Sequence, residues 1–379
     1  MSFPSLLSLL FLSVSLPLLC GCGGRRSGNA VSLKEIPVRY ASLLSMAEAD
    51  SFTYAVVRNP WSKGAEEKLA AYVLVPQGRP VPNVRPEGVV LRTPLSRAVV
   101  TTAVHAALLE ELGVLSRVAG VTDFEYIVSP TLREKVHSGL LPALGSAFRP
   151  DLELLRAAKP DAMLVSPMEN SGAGALATLG VPLVQCADYL ETSPLGRAEW
   201  MRFYGRLFGC AEKSDSLFKA VAGAYEDLRK KASEQRGKAS RPVVLCDLKT
   251  SAVWYQPAGK STIGQMLSDA GAAHPWSDTS ESGSLALDLE TVFAKARNAD
   301  IWLVKYASPV ALTYKTMARD CPQYKLFRPW QTRRVWACNT LDVPFYEETP
   351  FHPERLLREW HGIFSGKAAS GRYYHPLAE

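Results

Sequence analysis

The chain carries six histidines, a residue type that can bind metals or move protons near neutral pH. No two of them stand four residues apart and no H-E-x-x-H segment occurs, so the sequence lacks the local signature of a zinc hydrolase. A G-x-S-x-G segment, which would mark a serine nucleophile on a tight turn, is also missing. Residues far apart in the sequence could still form a catalytic set, so an enzyme stays open as an alternative.

Two glycine-containing segments partly match nucleotide-binding motifs. Gly259-Lys260-Ser261 looks like the end of a phosphate-binding loop, but that motif needs a glycine five positions earlier, where this chain has the bulky Trp254. Residues 172–177 fit G-x-G-x-x-A, yet the predicted strand ends too far before Gly172 for a dinucleotide turn. We therefore expect a glycine-rich loop at a cleft, and a turn that presents Trp254 and Tyr255 to a ligand.

Aromatic side chains cluster where the predicted strands end. They are Phe124, Tyr126, Trp254, Tyr255, Tyr306, Phe345 and Tyr346. In open α/β sheets, ligands bind outside the carboxyl ends of the strands, and aromatic rings offer flat contact area there. The pattern predicts a pocket for a large ligand. The alternative is that individual rings only pack in the core.

The elements that would carry these side chains alternate between strand and helix from about residue 86. Apolar runs such as 98–101 and 162–165 are typical of buried strands, and helical segments lie between them. Residues 194–238 form the longest helical stretch, after which the pattern begins again at Val243. We predict an α/β fold in which two Rossmann-like lobes with mostly parallel sheets are joined by one long helix and preceded by a β-rich extension.

This organisation divides the chain into five segments. They are a signal peptide (1–21), a tether and β-rich extension (22–85), an N-terminal lobe (86–193), a connecting helical region (194–238) and a C-terminal lobe (239–379). The two lobes share a short echo, because Asp151-Leu152-Glu153 and Asp288-Leu289-Glu290 each precede an alanine-containing helix and a buried strand. Since acidic residues are favoured in the first turn of a helix, we interpret the echo as a structural repeat.

The first 21 residues carry no charged side chain and are similar to the hydrophobic part of a secretory signal. In Leu19-Cys20-Gly21-Cys22, a small residue precedes a cysteine, as in bacterial lipoprotein signals. We predict that Cys22 is the lipid-attachment site of an exported protein in the periplasm or cell envelope. A plain cleaved signal is the alternative. Five further cysteines remain, none in C-x-x-C spacing, and their pairing is open.

The charge balance argues against a nucleic-acid partner. The chain has 43 Lys and Arg against 37 Asp and Glu, a net charge of +6 on 379 residues. The excess is small and forms no basic run. We interpret it as ordinary solvated surface charge.

Four short motifs together resemble a known family over roughly residues 88–365. They are Leu112-Gly113 with Val118-Ala119-Gly120-Val121-Thr122-Asp123, Asp151-Leu152-Glu153 with Ala158-Lys159-Pro160-Asp161, Leu179-Gly180-Val181-Pro182, and His352-Pro353-Glu354-Arg355-Leu356-Leu357. In order and spacing they resemble the bacterial periplasmic binding proteins of ABC importers for ferric siderophores, haem and vitamin B12. The resemblance implies two Rossmann-like lobes, a rigid connecting helix and a ligand cleft between the lobes.

The resemblance also implies roles for particular residues. Carried over by position, the ligand-binding residues would be Thr101, Thr102, Tyr126, Ser166, Asn170, Trp254, Tyr255, Lys305, Tyr306, Asn339 and Tyr346. Lys305 would pair with a carboxylate of the ligand, and Glu153 and Glu290 would dock on arginines of a membrane permease that works with an ATPase. The ligand would be a ferric siderophore, haem or cobalamin, and no catalytic residue, resident metal or cofactor is expected.

Two other functions stay open at this point. One is a binding role without a permease, as a surface receptor component or a chaperone for a metal chelate. The other is an enzyme on the same two-lobed scaffold that acts on a tetrapyrrole or a nucleotide.

Overall fold

The computed structural model describes residues 31–62, 64, 67–170, 174–235, 240–367 and 370–379. The predicted signal peptide, Cys22 and the first part of the glycine-rich loop lie outside these residues. Within the described part of the chain, no helix is long and apolar enough to cross a membrane. The cysteines in that part are free thiols, namely Cys186, Cys210, Cys246, Cys321 and Cys338.

A five-stranded sheet forms the N-terminal extension. Its strands are β1 (Lys34–Ile36), β2 (Leu44–Ala49), β3 (Phe52–Arg58), β4 (Lys68–Pro76) and β5 (Val89–Thr93). They lie in chain order, antiparallel as far as β4, and β4 then pairs with β5 in parallel. The extension sheet therefore continues past residue 85, its expected end, because β5 pairs with β4 and, within the described residues, with no strand of the lobe that follows.

The extension is fixed to the rest of the chain by buried polar contacts. The Tyr72 hydroxyl donates to the Leu183 carbonyl at 3.1 Å and accepts from the Gln185 amide at 2.7 Å. The hydroxyl thereby satisfies the hydrogen-bonding needs of backbone groups in residues 183–185, which form the edge strand of the N-terminal lobe.

Two buried carboxylates hold the segment between β1 and β2. Glu199 accepts the amides of residues 39–41 at 2.6 to 3.0 Å, and Glu191 accepts the amides of residues 42 and 43 at 2.9 Å. Both side chains are almost fully buried. Because a buried carboxylate without donors is costly, these contacts tie the extension firmly to residues 191–199, where the N-terminal lobe meets the connecting region.

The N-terminal lobe is built on a parallel sheet. Its strands are β6 (Ala98–Val100), β7 (Val118–Val121), β10 (Ala162–Val165) and β11 (Leu183–Gln185), in the order β11-β10-β6-β7, with a small hairpin of β8 (Gly145–Ser146) and β9 (Arg149–Pro150). Its helices are α1 (Ala103–Glu111), α2 (Pro130–His137) and α3 (Leu152–Ala158). Each helix begins at a capping side chain, Thr102, Ser129 or Asp151, that accepts a backbone amide of the first turn.

Three helices connect the lobes where one helical region was expected. They are α4 (Pro194–Glu199), α5 (Met201–Leu207) and α6 (Ala211–Gln235). The chain turns between α5 and α6 at Gly209, which has a φ of 73°, a conformation that glycine adopts readily. The long helix is α6, and Phe218, Val221 and Tyr225 form its buried stripe.

The C-terminal lobe repeats the strand–helix pattern. Its main sheet has β12 (Val244–Cys246), β16 (Ile301–Tyr306) and β17 (Val335–Asn339) in parallel and β18 (His375–Pro376) antiparallel, and a second sheet has β13 (Lys249–Thr250), β14 (Val253–Pro257) and β15 (Ser284–Leu287). The helices are α7 (Thr262–Asp269), α8 (Leu289–Ala296), α9 (Tyr314–Asp320), α10 (Arg328–Gln331), α11 (Phe345–Glu348) and α12 (Pro353–Phe364). The last helix packs against α6, and α11 packs against α1 of the other lobe.

The sequence echo corresponds to equivalent elements of the two lobes. Asp151 caps α3, which leads into β10, and Asp288 caps α8, which leads into β16. Asp151 accepts the amides of Glu153 and Leu154, and Asp288 accepts the Thr291 amide. In both lobes a glutamate follows the aspartate two residues later. The predicted α/β fold with two lobes, a long connecting helix and a β-rich extension is confirmed.

Candidate functional site

The carboxyl ends of the first-lobe strands surround a cavity of about 690 Å³. Polar groups reach it from Thr101 and Thr102 after β6 and from Ser166 after β10. Most of the remaining wall is apolar, and Phe148, which is 79% exposed, stands at the tip of the β8–β9 hairpin. An apolar cavity with a few convergent polar groups is the usual form of a small-molecule site.

The two threonines at the end of β6 already have internal partners. The Thr101 hydroxyl donates to the Leu164 carbonyl at 2.7 Å, which ties β6 to β10. Thr102 caps α1, and its Oγ1 lies 2.8 Å from Nδ1 of His105.

Behind Thr102 lies a buried polar cluster that the sequence analysis did not single out. Nε2 of His105 lies 2.9 Å from Oδ1 of Asp188, which also accepts the Tyr204 hydroxyl at 2.8 Å, while Arg197 pairs with the other oxygen at 3.3 Å. Burial raises the pKa of Asp188, whereas its hydrogen bonds with His105 and Tyr204 and the positive charge of Arg197 lower it, and the net pKa lies below the ordinary value. Asp188 is therefore an ionised carboxylate at neutral pH.

Two predicted tyrosines lie close to the contact between the lobes. Tyr126 follows β7 and is 66% exposed, and Tyr346 in α11 is 56% exposed. Glu347, next to Tyr346, accepts the amides of Val128 and Ser129 at 2.8 and 3.4 Å. This hydrogen bonding brings the segment after β7 and the start of α11 together, so one exposed ring of each lobe stands beside the junction.

Lys305 is engaged within its own lobe. Its Nζ donates to both carboxylate oxygens of Asp247 at 2.7 and 2.9 Å, and Asp247 adopts a left-handed conformation with a φ of 57°. Burial lowers the pKa of Lys305, but the attraction of Asp247 is stronger and the net pKa is raised. A ligand carboxylate would have to compete with Asp247 for this ammonium group.

Tyr306 and Asn339 line a smaller cavity of about 230 Å³ at the ends of β16 and β17. The Asn339 side chain braces the adjoining loop, because it accepts the Ser308 amide at 3.2 Å and donates to the Ser308 carbonyl at 2.8 Å and to Asp342 at 2.6 Å. Its amide is thus used to shape the loop.

Trp254 is buried in the second lobe and does not face a cleft. Its side chain is 0% exposed, donates from Nε1 to the Cys246 carbonyl at 2.9 Å and stacks on Trp302 with ring centroids 5.5 Å apart. The next residue, Tyr255, is 51% exposed, because successive residues of β14 point to opposite faces. The expectation that both rings are presented to a ligand thus applies in the structure to Tyr255 alone.

The remaining residues singled out in the sequence are a helix cap and two residues of the segment after β10. Ser261, at the end of the loop-like Gly259 segment, caps α7 by accepting the Gly264 amide at 3.0 Å. Asn170 is exposed with a φ of 57° and does not line the 690 Å³ cavity, whereas Ser166 does. Within the described residues, no group of three or more His, Cys, Asp or Glu side chains could hold a metal ion.

Five polar or aromatic residues of the cavity wall lie outside the predicted ligand-binding set. They are Asp123, Phe148, Arg149, Gln185 and Tyr189. Phe148 and Arg149 belong to a two-residue-strand hairpin that periodicity cannot detect, although an aromatic residue between a glycine and a proline is a usable signal for an exposed turn.

The two glutamates of the echo are both exposed in the first turn of a helix, Glu153 in α3 and Glu290 in α8. Neither forms an ion pair with another described residue. Both carboxylates are thus free to meet a partner.

A family model described as "Periplasmic binding protein" matches residues 98–320, which is more than half of the chain. The chain belongs to this family. The match begins at β6 and leaves the extension outside it. The family resemblance expected from the sequence motifs is confirmed.

Solved periplasmic binding proteins share the fold. A periplasmic haem-binding protein from Pseudomonas aeruginosa matches with a TM-score of 0.58 at 15% identity, covering 75% of this chain and 98% of that one. An Fe³⁺-hydroxamate transport protein from Saccharomonospora viridis gives 0.56 at 18% identity, covering 72% and 93%. The Fe³⁺-Desferal-bound siderophore-binding protein from Vibrio cholerae gives 0.54 at 16%, covering 71% and 99%.

Two curated proteins are similar in sequence to this periplasmic binding protein. Both are described as uncharacterized lipoproteins of Methanocaldococcus jannaschii and are 22% identical to it. The alignments cover 76% and 79% of this chain and 69% and 76% of the relatives.

Proposed function

We propose that this periplasmic binding protein is the lipid-anchored, substrate-binding component of an ABC importer. It captures an iron complex, either a ferric siderophore or haem, or a corrinoid, and delivers it to the permease. The observation that carries the proposal is the strand-end cavity of about 690 Å³, with exposed aromatic rings beside the junction of the lobes. A large, partly apolar chelate needs this kind of wall for desolvation.

The proposed contact set is narrower than the one expected from the sequence. It keeps Thr102 and Ser166, which line the first-lobe cavity, and the exposed residues Tyr126, Asn170, Tyr255 and Tyr346. Thr101, Lys305, Tyr306 and Asn339 are proposed to shape the edge of the sheets through their internal contacts. Trp254 is left out because it is buried in the core.

The ligand class is supported by the proteins that share the fold. Their descriptions name Fe³⁺-hydroxamate transport, haem binding and Fe³⁺-Desferal binding. For this chain we propose the same chemical range, a metal chelate or tetrapyrrole with a volume of several hundred Å³. The corrinoid is supported by the sequence resemblance.

Docking and anchoring complete the proposal. Glu153 and Glu290 are exposed at equivalent positions of the two lobes and would contact basic residues of the permease. Cys22 would carry the lipid, an idea supported by the description of both curated relatives as lipoproteins.

Binding is tested by titrating the protein with ferric Desferal, haem and cyanocobalamin while absorbance and tryptophan fluorescence are recorded. We expect one of the three to saturate at one equivalent, and the double variant Tyr126→Ala/Tyr346→Ala to weaken it by about tenfold or more. Leu326→Ala is the matched control, because Leu326 is also 56% exposed but lies in the turn before α10. If none of the three ligands binds, the proposed ligand class is wrong.

A further inference from the structure

We propose that buried His105 and Asp188 fix the direction of the Thr102 hydroxyl, so that Thr102 can only accept a hydrogen bond from a ligand in the first-lobe cavity. The site would thereby select ligands that present an N–H or O–H donor at this point. This inference rests on the proposed function and adds the polarity of one contact to it.

The argument begins at Asp188, the innermost group. Its carboxylate is 1% exposed and accepts from Tyr204 at 2.8 Å and from Arg197 at 3.3 Å. An ionised carboxylate has no proton to donate, so the 2.9 Å contact with Nε2 of His105 requires a hydrogen on that nitrogen. Asp188 therefore determines which ring nitrogen of His105 carries the hydrogen.

The second step concerns the charge of His105. Its side chain is 3% exposed and packs against the rings of Tyr204 and Phe351, with centroids 4.9 and 6.2 Å away. Arg197 already supplies a positive charge to Asp188, and a second buried cation would lose its hydration. We infer that His105 is the neutral Nε2–H tautomer, which leaves Nδ1 as an acceptor.

The third step reaches the cavity. Because Nδ1 accepts, the Thr102 hydroxyl at 2.8 Å must donate to it. The same oxygen accepts the His105 backbone amide at 3.3 Å, as the cap of α1. One lone pair of Thr102 is left for the cavity that this residue lines. A carboxylate oxygen at that point would meet a lone pair, whereas an amide, amine or hydroxyl group would form a hydrogen bond.

The hydrogen-bonded chain of Thr102, His105 and Asp188 is similar to a hydrolytic triad. The burial of His105, however, indicates that it orients the Thr102 hydroxyl and does not act as a catalytic base. A catalytic base must hand its proton to a leaving group near the nucleophile. His105 lies behind Thr102 and is 3% exposed, so a leaving group in the cavity does not reach its ring. His105 thus acts on a ligand only through Thr102.

The direction of the hydrogen bonds is measured by imidazole ¹⁵N chemical shifts of the full-length chain labelled at its six histidines. The His105 signals are those missing from His105→Gln. We expect a neutral ring protonated at Nε2, with an Nδ1 shift that moves in Thr102→Val and stays close to wild type in Thr102→Ser. A ring protonated at Nδ1, either as the other tautomer or as imidazolium, would overturn the inference.

The effect on selectivity is measured with two probes of opposite polarity. Ferric Desferal carries amide and amine N–H donors, whereas the periphery of haem carries carboxylates. Thr102→Val should weaken the ferric Desferal complex about tenfold and the haem complex less than about twofold, and Thr102→Ser should restore wild-type affinity for both. Equal weakening of both probes, which loss of the helix cap alone would cause, contradicts the inference.

Failure of the inference and failure of the proposed function are distinguishable. If the wild-type chain binds neither probe nor cyanocobalamin, the proposed ligand class is wrong, and the ¹⁵N shifts still decide the hydrogen-bond direction. If it binds a probe but the His105 ring is protonated at Nδ1, the proposed function stands and the inference is wrong.

Discussion

The contact between the lobes should make the stability of this protein depend on pH above neutrality. His352, at the start of α12, lies 2.7 Å from Glu111 at the end of α1 and 3.1 Å from Glu354. It is 4% exposed and lies at an interlobe pocket of about 470 Å³. Burial lowers the pKa of His352, but the hydrogen bonds and charges of the two glutamates outweigh it and raise that pKa to about 9.

The size of the effect follows from the two protonation equilibria. An unfolded histidine has a pKa near 6.5, so a folded pKa of about 9 corresponds to about 3 kcal/mol of stabilisation when the ring is charged. Because the folded pKa is the higher one, this stabilisation is complete below about pH 6.5 and is lost as the pH rises through about 9. His352→Gln should therefore remove on the order of 3 kcal/mol at pH 6 and much less at pH 10.

The assay is urea unfolding, followed by tryptophan fluorescence, at pH 6, 7, 8, 9 and 10. We expect the urea concentration at the wild-type unfolding midpoint to decrease as the pH rises from 6.5 to 9. The midpoint of His352→Gln should not show this decrease. His361→Gln is the matched control on the same helix, since Nδ1 of His361 lies 3.4 Å from the Ala270 carbonyl and no ion pair with an acidic residue is formed by His361 within the described residues. If wild type and His352→Gln lose stability in parallel over this range, the assignment of the pH dependence to the Glu111–His352 pair is refuted.

Three further changes test other parts of the structure. Glu153→Ala with Glu290→Ala should reduce uptake into proteoliposomes that contain the permease and its ATPase while leaving ligand affinity unchanged, because both side chains are exposed outside the cavities; undiminished uptake would show that docking does not use them. Glu199→Ala should lower the free energy of unfolding by about 3 kcal/mol, measured by urea unfolding, because three backbone amides lose a buried acceptor. Trp254→Ala should cost about 3 to 5 kcal/mol and Tyr255→Ala less than about 0.5 kcal/mol in the same assay, and equal losses would contradict the burial assigned to them.

Much of the fold could be predicted because its signals are local. The apolar runs of β6, β7 and β10 and the capped starts of α3 and α8 are visible in the sequence as short periodic patterns. The pairing of β5 with β4 could not be predicted, because a parallel partner nearby in sequence cannot be recognised from the strand itself. The break at Gly209 was also hidden within a segment of otherwise helical composition.

The candidate site was less predictable, because it depends on the direction of side chains. The position of Trp254 at a strand is clear from the sequence, but whether it points inward depends on the pleat of β14. The sequence resemblance predicts that Lys305 pairs with a carboxylate of the ligand. Only the fold shows that Asp247, directly after β12, lies close enough to pair with Lys305. The cluster of His105, Asp188 and Tyr204 joins residues up to 99 positions apart, so no local sequence motif predicts it.

The central claim, that a metal chelate binds at the strand ends of the first lobe, is tested most directly by anomalous diffraction from the complex. Crystals grown with the ligand that saturates the protein should give one iron or cobalt peak at the first-lobe cavity, near Thr102, Phe148 and Ser166. A peak at the interlobe pocket of Glu111 and His352, or on the surface of the extension, would contradict the account.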